Sequence, residues 1–154
     1  MTTKLPALAW HYTTGKHFER IAATGLLMPA ATAVEPPEKP ILWFSVNQHW
    51  ELTANKGYEF PDGTIRTLTM QETFEKARGL VRFGCPLRLL RSGEALRQEA
   101  RMKSAMWLML TAEGKRQGAN PAEWWGTTKP LLIDGMAVEV MNREWAWEPV
   151  RSSA

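Results

Sequence analysis

The stretch LAWHYTTGKHFERIAATGLL, Leu8 to Leu27, decides how the rest of the chain is read. Leu8-Ala9-Trp10-His11-Tyr12 is apolar and aromatic, the pattern of a short buried strand. Thr13 or Thr14 then offers a hydroxyl to cap a helix. Phe18, Ile21 and Ala22 follow at helical spacing, and Gly25 stands where a helix ends. The unit is therefore strand, tight turn and a helix of two to three turns, with Leu26-Leu27 anchoring its exit.

Working outward, Pro29 to Pro40 holds four prolines among small residues and predicts a loop, because proline removes backbone donors. Ile41 to Val46 reads as a second strand. Trp50 to Lys56 predicts a short helix, and Pro61-Asp62-Gly63 a turn. Met70 to Arg78 predicts a helix closed by Gly79, and Leu80 to Phe83 another strand. From Ser92 a longer helical stretch is expected, with a stripe of Leu96, Ala100, Met106, Trp107 and Leu110, ending at Gly114 or Gly118. Asn120-Pro121-Ala122-Glu123 has the form of a capping box and predicts one helical turn ending at Gly126. Met136 to Met141 alternates, with Met136, Val138 and Val140 on one side and Ala137, Glu139 and Met141 on the other. Asn142-Arg143 turns the chain, and Trp145 to Val150 returns as a partner strand. This order lacks the regular alternation of a doubly wound sheet. It predicts an α+β fold, a mostly antiparallel split sheet with flanking helices, in a single domain over 1–154.

The composition agrees with a globular chain: 154 residues, 44% hydrophobic and 23% charged. A chain of this size buries roughly two thirds of its surface without a disulfide staple. Eight tryptophans outnumber the two tyrosines and five phenylalanines together, so several are expected to line something besides filling the core. The formal charge is +3, but Lys76 to Lys103 alone carries eight Lys/Arg against two Glu. A basic middle suits a phosphate-bearing ligand as well as a solvated helix face. The lone cysteine, Cys85, forms no internal disulfide, and Met1 to Pro6 lacks the apolar core of a leader. No apolar run approaches the roughly 18 residues of a membrane span. A cytoplasmic protein without membrane contact is expected.

Several chemistries fall out by spacing. The three histidines, His11, His17 and His49, make no His-x-x-x-His pair, there is no Cys-x-x-Cys, and no metal site is expected. The phosphate-binding glycine patterns and the Gly-x-Ser-x-Gly elbow are missing. Cys85, flanked by Arg82 and Arg88, is a weak candidate nucleophile. His11-Tyr12-Thr13 is the most informative site: a polar His closing an apolar strand points toward the sheet rim, where ligands commonly bind.

These residues carry a resemblance. A strand ending in His11-Tyr12-Thr13, a short helix and Gly25-Leu26-Leu27 resemble the opening of ADP-ribosyltransferase-fold proteins, including DNA-modifying transferase toxins and RNA 2′-phosphotransferases. Leu42-Trp43-Phe44-Ser45 is similar to the second motif of that superfamily, an aromatic strand ending in Ser or Tyr. The third motif is a carboxylate on a late strand. Glu139 is its nearest counterpart, with Glu144 and Glu148 as competitors, and no Glu-x-Glu or Gln-x-Glu pair is present.

The resemblance implies NAD⁺ as substrate and a macromolecular acceptor, protein or nucleic acid. Departure of nicotinamide leaves positive charge on the ribose, which a carboxylate stabilises. Glu139 and His11 are the implied catalytic pair, with His11 also holding ribose hydroxyls. Tyr12 or Trp43 is expected to stack the nicotinamide ring. Thr13 belongs to the same cofactor-binding motif. Ser45 is expected to orient the glutamate or a ribose hydroxyl, and Arg82 to meet the pyrophosphate. The Pro29–Pro40 loop is expected to be a lid or an acceptor-facing loop. Two alternatives stand beside this reading: a non-catalytic module on the same fold that binds a protein through Trp-rich surface, and an enzyme acting on 2′-phosphorylated RNA. The reading expects His11 and Ser45 on adjacent central strands, opening into one cleft.

Overall fold

The computed structural model describes residues 5–32 and 34–150; most of the Met1–Pro6 stretch lies outside them. The chain runs β1 (Leu8–Thr14), α1 (Gly15–Thr24), β2 (Leu26–Leu27), β3 (Leu42–Ser45), β4 (Gly57–Glu59), β5 (Ile65–Thr67), α2 (Met70–Lys76) and β6 (Leu80–Pro86). It continues through β7 (Arg91–Ser92), α3 (Gly93–Glu99), α4 (Ser104–Arg116), β8 (Trp124–Thr127), β9 (Leu131–Leu132), β10 (Ala137–Met141) and β11 (Trp147–Pro149). The fold is α+β. Seven strands form one sheet in the order β11-β10-β6-β1-β3-β8-β7, and every neighbouring pair is antiparallel. Strands β2 and β9, and β4 and β5, form two small separate pairs.

The opening unit forms as its residues dictate. Thr14 Oγ1 accepts from the His17 N–H at 3.4 Å and caps α1. Gly25 closes the helix in a left-handed conformation, φ 73°, and its N–H reaches the Ile21 carbonyl at 2.7 Å. Phe18 of α1 stacks on Phe83 of β6 at 6.1 Å and so fixes the helix on one face of the sheet. That face buries Ala9, Leu42, Phe44, Val81, Phe83 and Cys85, with Val138 and Val140 packed against them. The other face buries Trp10, Tyr12, Trp50, Leu80 and Met141. Full burial of side chains such as Phe83 is worth roughly 1.5–3 kcal/mol each, and two such faces make β1 and β6 the centre of the molecule.

Four expectations need correction. The helix expected at Trp50 to Lys56 is a single 3-10 turn, Leu52–Ala54, capped by the Glu51 side chain. The long stretch after Ser92 is two helices, because the chain leaves helical geometry at Arg101 with φ 54°. The break lets Ala100 and Met102 bury together with Ile41 and Leu96. The turn opened by Asn120-Pro121 ends at Glu123, and Trp124–Thr127 is a strand inside the sheet rather than a helix end. Strands β2, β4, β5, β7 and β9 add short pairings that the sequence reading did not include.

Helix α4 lies against β8 through a bare patch of backbone. A Cβ at Gly114 would sit 2.4 Å from Trp124 Cζ2, so only glycine admits the indole there. Trp124 in turn meets Trp43 edge to face at 5.7 Å, and Trp43 lies 6.1 Å from Trp107 of α4. Trp43 and Trp124 border the cavity described next, with Trp107 packed behind Trp43. No helix among the described residues is long and apolar enough to cross a membrane.

Candidate functional site

The two edges of β1 behave differently. Toward β6 the ladder runs through seven pairs, from Leu8 opposite Pro86 to Thr14 opposite Leu80. Toward β3 it holds at one pair, Trp10 opposite Ser45, and then opens. A cavity of about 300 Å³ lies at this opening. It is bordered by Trp10, His11, Tyr12, Trp43, Phe44 and Ser45 of the two strands, by Glu51, Thr53 and Ala54, by α4 and by Trp124.

His11 sits at the parting strands. Its Nδ1–H donates to the Trp43 carbonyl at 2.7 Å, and its ring lies 5.7 Å from Phe44. A carbonyl partner fixes the proton on Nδ1 and leaves Nε2 as the acceptor. Burial lowers the His11 pKa below its usual 6.5, which favours this neutral form. Pleat alternation sets Ser45 with Trp10 on one face of the sheet and His11 with Phe44 on the other. The expectation that both side chains open into one cleft from the same side of the sheet is therefore not met, although both residues border the cavity. Ser45 is buried, and its Oγ accepts from the Asn47 N–H at 3.1 Å, which ties down the loop after β3. Trp43 borders the cavity from β3. Thr13 is buried further along β1 and lies outside the lining.

Tyr12 borders the cavity but its hydroxyl is occupied. It donates to the Asn47 carbonyl and accepts from Arg82 Nη1 at 3.2 Å. Burial pushes its pKa up to about 12. Arg82 and Glu139, neighbours across β6 and β10, form an ion pair outside the lining, with Arg82 Nε 2.8 Å from Glu139 Oε1. The guanidinium also donates to the Gln48 carbonyl and lies over Trp10 at 3.8 Å and Trp147 at 4.6 Å. Its side chain is 9% exposed. The charge that suggested a pyrophosphate contact is thus neutralised within the fold, and the Glu139 carboxylate is held by the same pair. Of the competing carboxylates, Glu148 accepts from Asn142 Nδ2 at 2.7 Å in the β10–β11 hairpin, and Glu144 is exposed in its turn; neither borders the cavity. Cys85 is fully buried, and burial pushes its thiol up to about 11, which leaves it a poor nucleophile.

Two carboxylates that sequence reasoning missed do border the cavity, Glu51 and Glu113. Glu113 is exposed and paired with Arg116, whose guanidinium holds its pKa down to about 2. Glu51 is 8% exposed. Its Oε2 accepts from Thr53 Oγ1 at 2.7 Å, the Thr53 N–H at 3.2 Å and Trp124 Nε1 at 3.3 Å. The one available signal was the Glu51-x-Thr53 spacing, which marks a local cap and says nothing of burial. Among the described residues no group of three or more His, Cys, Asp or Glu side chains is arranged to hold a metal ion.

Compared with family models, with curated proteins and with solved structures, the chain finds no match.

Proposed function

We propose that the protein is ADP-ribosyltransferase-like and binds NAD⁺ in the cavity between β1 and β3. The observation that carries this reading is the parting of those strands at His11, which brings His11, Tyr12, Trp43 and Ser45 to the border of one cavity. A volume of about 300 Å³ is at the lower end of small-ligand pockets, roughly 300–1,000 Å³, and suits one end of a dinucleotide. The bare Nε2 of a neutral His11 accepts from a ribose hydroxyl. Trp43 supplies a flat face to the nicotinamide ring. In the transfer, the bond between ribose C1′ and the nicotinamide nitrogen breaks with its electron pair going to the ring. A nucleophile on a macromolecular acceptor forms the new bond to C1′ and releases its proton to solvent or a base. The cationic stretch from Lys76 to Lys103 is compatible with an acidic acceptor.

The test is calorimetric titration with NAD⁺, paired with an assay for released nicotinamide. Wild type is expected to bind, and His11→Ala to weaken binding by about tenfold or more while the circular dichroism spectrum stays unchanged. No binding at millimolar NAD⁺ would sink the proposal. A second reading, a non-catalytic module on the same fold, draws support from the Arg82–Glu139 pair, which occupies the late-strand carboxylate. That reading expects no nicotinamide release under any condition.

A further inference from the structure

Among the described residues, Glu139 and Glu51 both lie beside tryptophans, and of these two only Glu139 has a cation. At Glu139 the fold supplies Arg82, held between Trp10 and Trp147. At Glu51 no Lys, Arg or His among the described residues forms an ion pair with the carboxylate. A nearly buried carboxylate without a counter-charge is costly unless something completes it. Hydrogen bonds satisfy Oε2, while Oε1 has no partner among the described residues. Thr73 Oγ1 is the one fully enclosed side-chain oxygen without a partner among those residues, so Glu51 Oε1 remains reachable by solvent. The residue borders the cavity together with Trp10, Trp43 and Trp124.

We infer that the cavity is a receptor for a flat aromatic cation, with the Glu51 carboxylate as its counter-charge and the tryptophan faces as its walls. Electron-rich indole faces attract a cation, most strongly where water is excluded. The carboxylate adds Coulomb attraction, and the hydrogen bonds from Thr53 and Trp124 hold it in place before the ligand arrives. The Arg82 site is the internal precedent: a planar cation, a carboxylate and two tryptophans, assembled from one chain. The inference builds on the NAD⁺ reading by naming the charged pyridinium end as the one that enters. It also assigns Glu51 a selective role that the late-strand glutamate does not fill.

The test uses 1-methylnicotinamide, which carries a fixed positive charge, and nicotinamide, its neutral counterpart, each titrated against tryptophan fluorescence and by calorimetry. Wild type is expected to bind the cation about tenfold more tightly than the neutral ring. Glu51→Gln retains the acceptor for the Trp124 N–H and is expected to bring the two affinities within about twofold. Glu51→Asp, which keeps the charge, is expected to retain the preference and covers the case of a Gln variant that fails to fold. Equal affinities in wild type, or a preference that survives in Glu51→Gln, would overturn the inference. Tetramethylammonium binding as tightly as 1-methylnicotinamide would overturn the requirement for a flat ring. If 1-methylnicotinamide binds with the expected preference and NAD⁺ does not bind, the NAD⁺ reading falls and this inference stands. If NAD⁺ binds Glu51→Gln as tightly as wild type, this inference falls and the NAD⁺ reading stands.

Discussion

The edge of β1 that faces β6 is closed, and the edge that faces β3 is open. On the closed side, seven backbone pairs run the length of β1, and the Arg82–Glu139 ion pair and the Tyr12 hydroxyl tie the Arg82 guanidinium into the fold. On the open side one pair holds, then the strands separate, and His11 Nε2 and Glu51 Oε1 have no partner among the described residues. Trp10 joins the two, since its ring lies over Arg82 and the residue also borders the cavity. The contrast separates the residues that hold the molecule together from those available to act. It also explains why charge and type alone misassigned Arg82: a cation inside a completed network is structural, however well its chemistry suits a phosphate.

Removing the cation from the closed side is the strongest way to break this contrast. Arg82→Ala leaves Glu139 without its partner and should cost about 3–5 kcal/mol in urea unfolding. The double change Arg82→Met with Glu139→Leu should recover most of that, because it removes both charges. A cost below about 1 kcal/mol for the single variant would mean that the ladder, not the pair, secures this edge. On the open side the effects are smaller. Ser45→Ala takes away the acceptor for the Asn47 N–H and should cost about 1 kcal/mol in the same measurement. A loss as large as that of Arg82→Ala would erase the distinction between the two edges.

The pH response sharpens the comparison with the least perturbation. Burial lowers the His11 pKa below 6.5, so the folded state binds fewer protons than the unfolded chain as acid is added. The stabilisation is complete above about pH 6.5 and is lost as pH falls toward the folded value. Thermal melts between pH 7.5 and 5.5 should show a falling midpoint, flattened in His11→Asn. His17 shifts in the same direction, again chiefly from burial, so His17→Asn measures the share that does not belong to the open edge.

The parts of the fold that were legible in the sequence are those where local signals agree. β1, α1 and the β10–β11 hairpin carry alternation, a capping threonine and turn residues that point to one answer. The alternation at Met136–Met141 also matches the faces, with Val138 and Val140 packed on one core and Met141 in the other. Trp124–Thr127 was misread because Asn120-Pro121 is a genuine helix-start signal, satisfied here by one 3-10 turn before the strand begins. The break at Arg101 has no glycine or proline to announce it; packing of Met102 and Ala100 against Leu96 sets it. The site was half legible. His11, Tyr12, Trp43 and Ser45 could be named from two short strands, and all four border the cavity. Glu51 could not, because its importance comes from Trp124, 73 positions away in the chain, and no local pattern encodes that meeting.

Gly114 shows how little separates the fold from the cavity it encloses. Glycine inside a helix forfeits about 1 kcal/mol relative to alanine, and α4 accepts that penalty at the point where the indole of Trp124 must nestle. The same indole steadies Glu51 through its N–H. One absent methyl on a helix thereby bears on how a carboxylate far away in the chain is held, and substitution at position 114 would retune the chamber without altering any residue that faces it with charge.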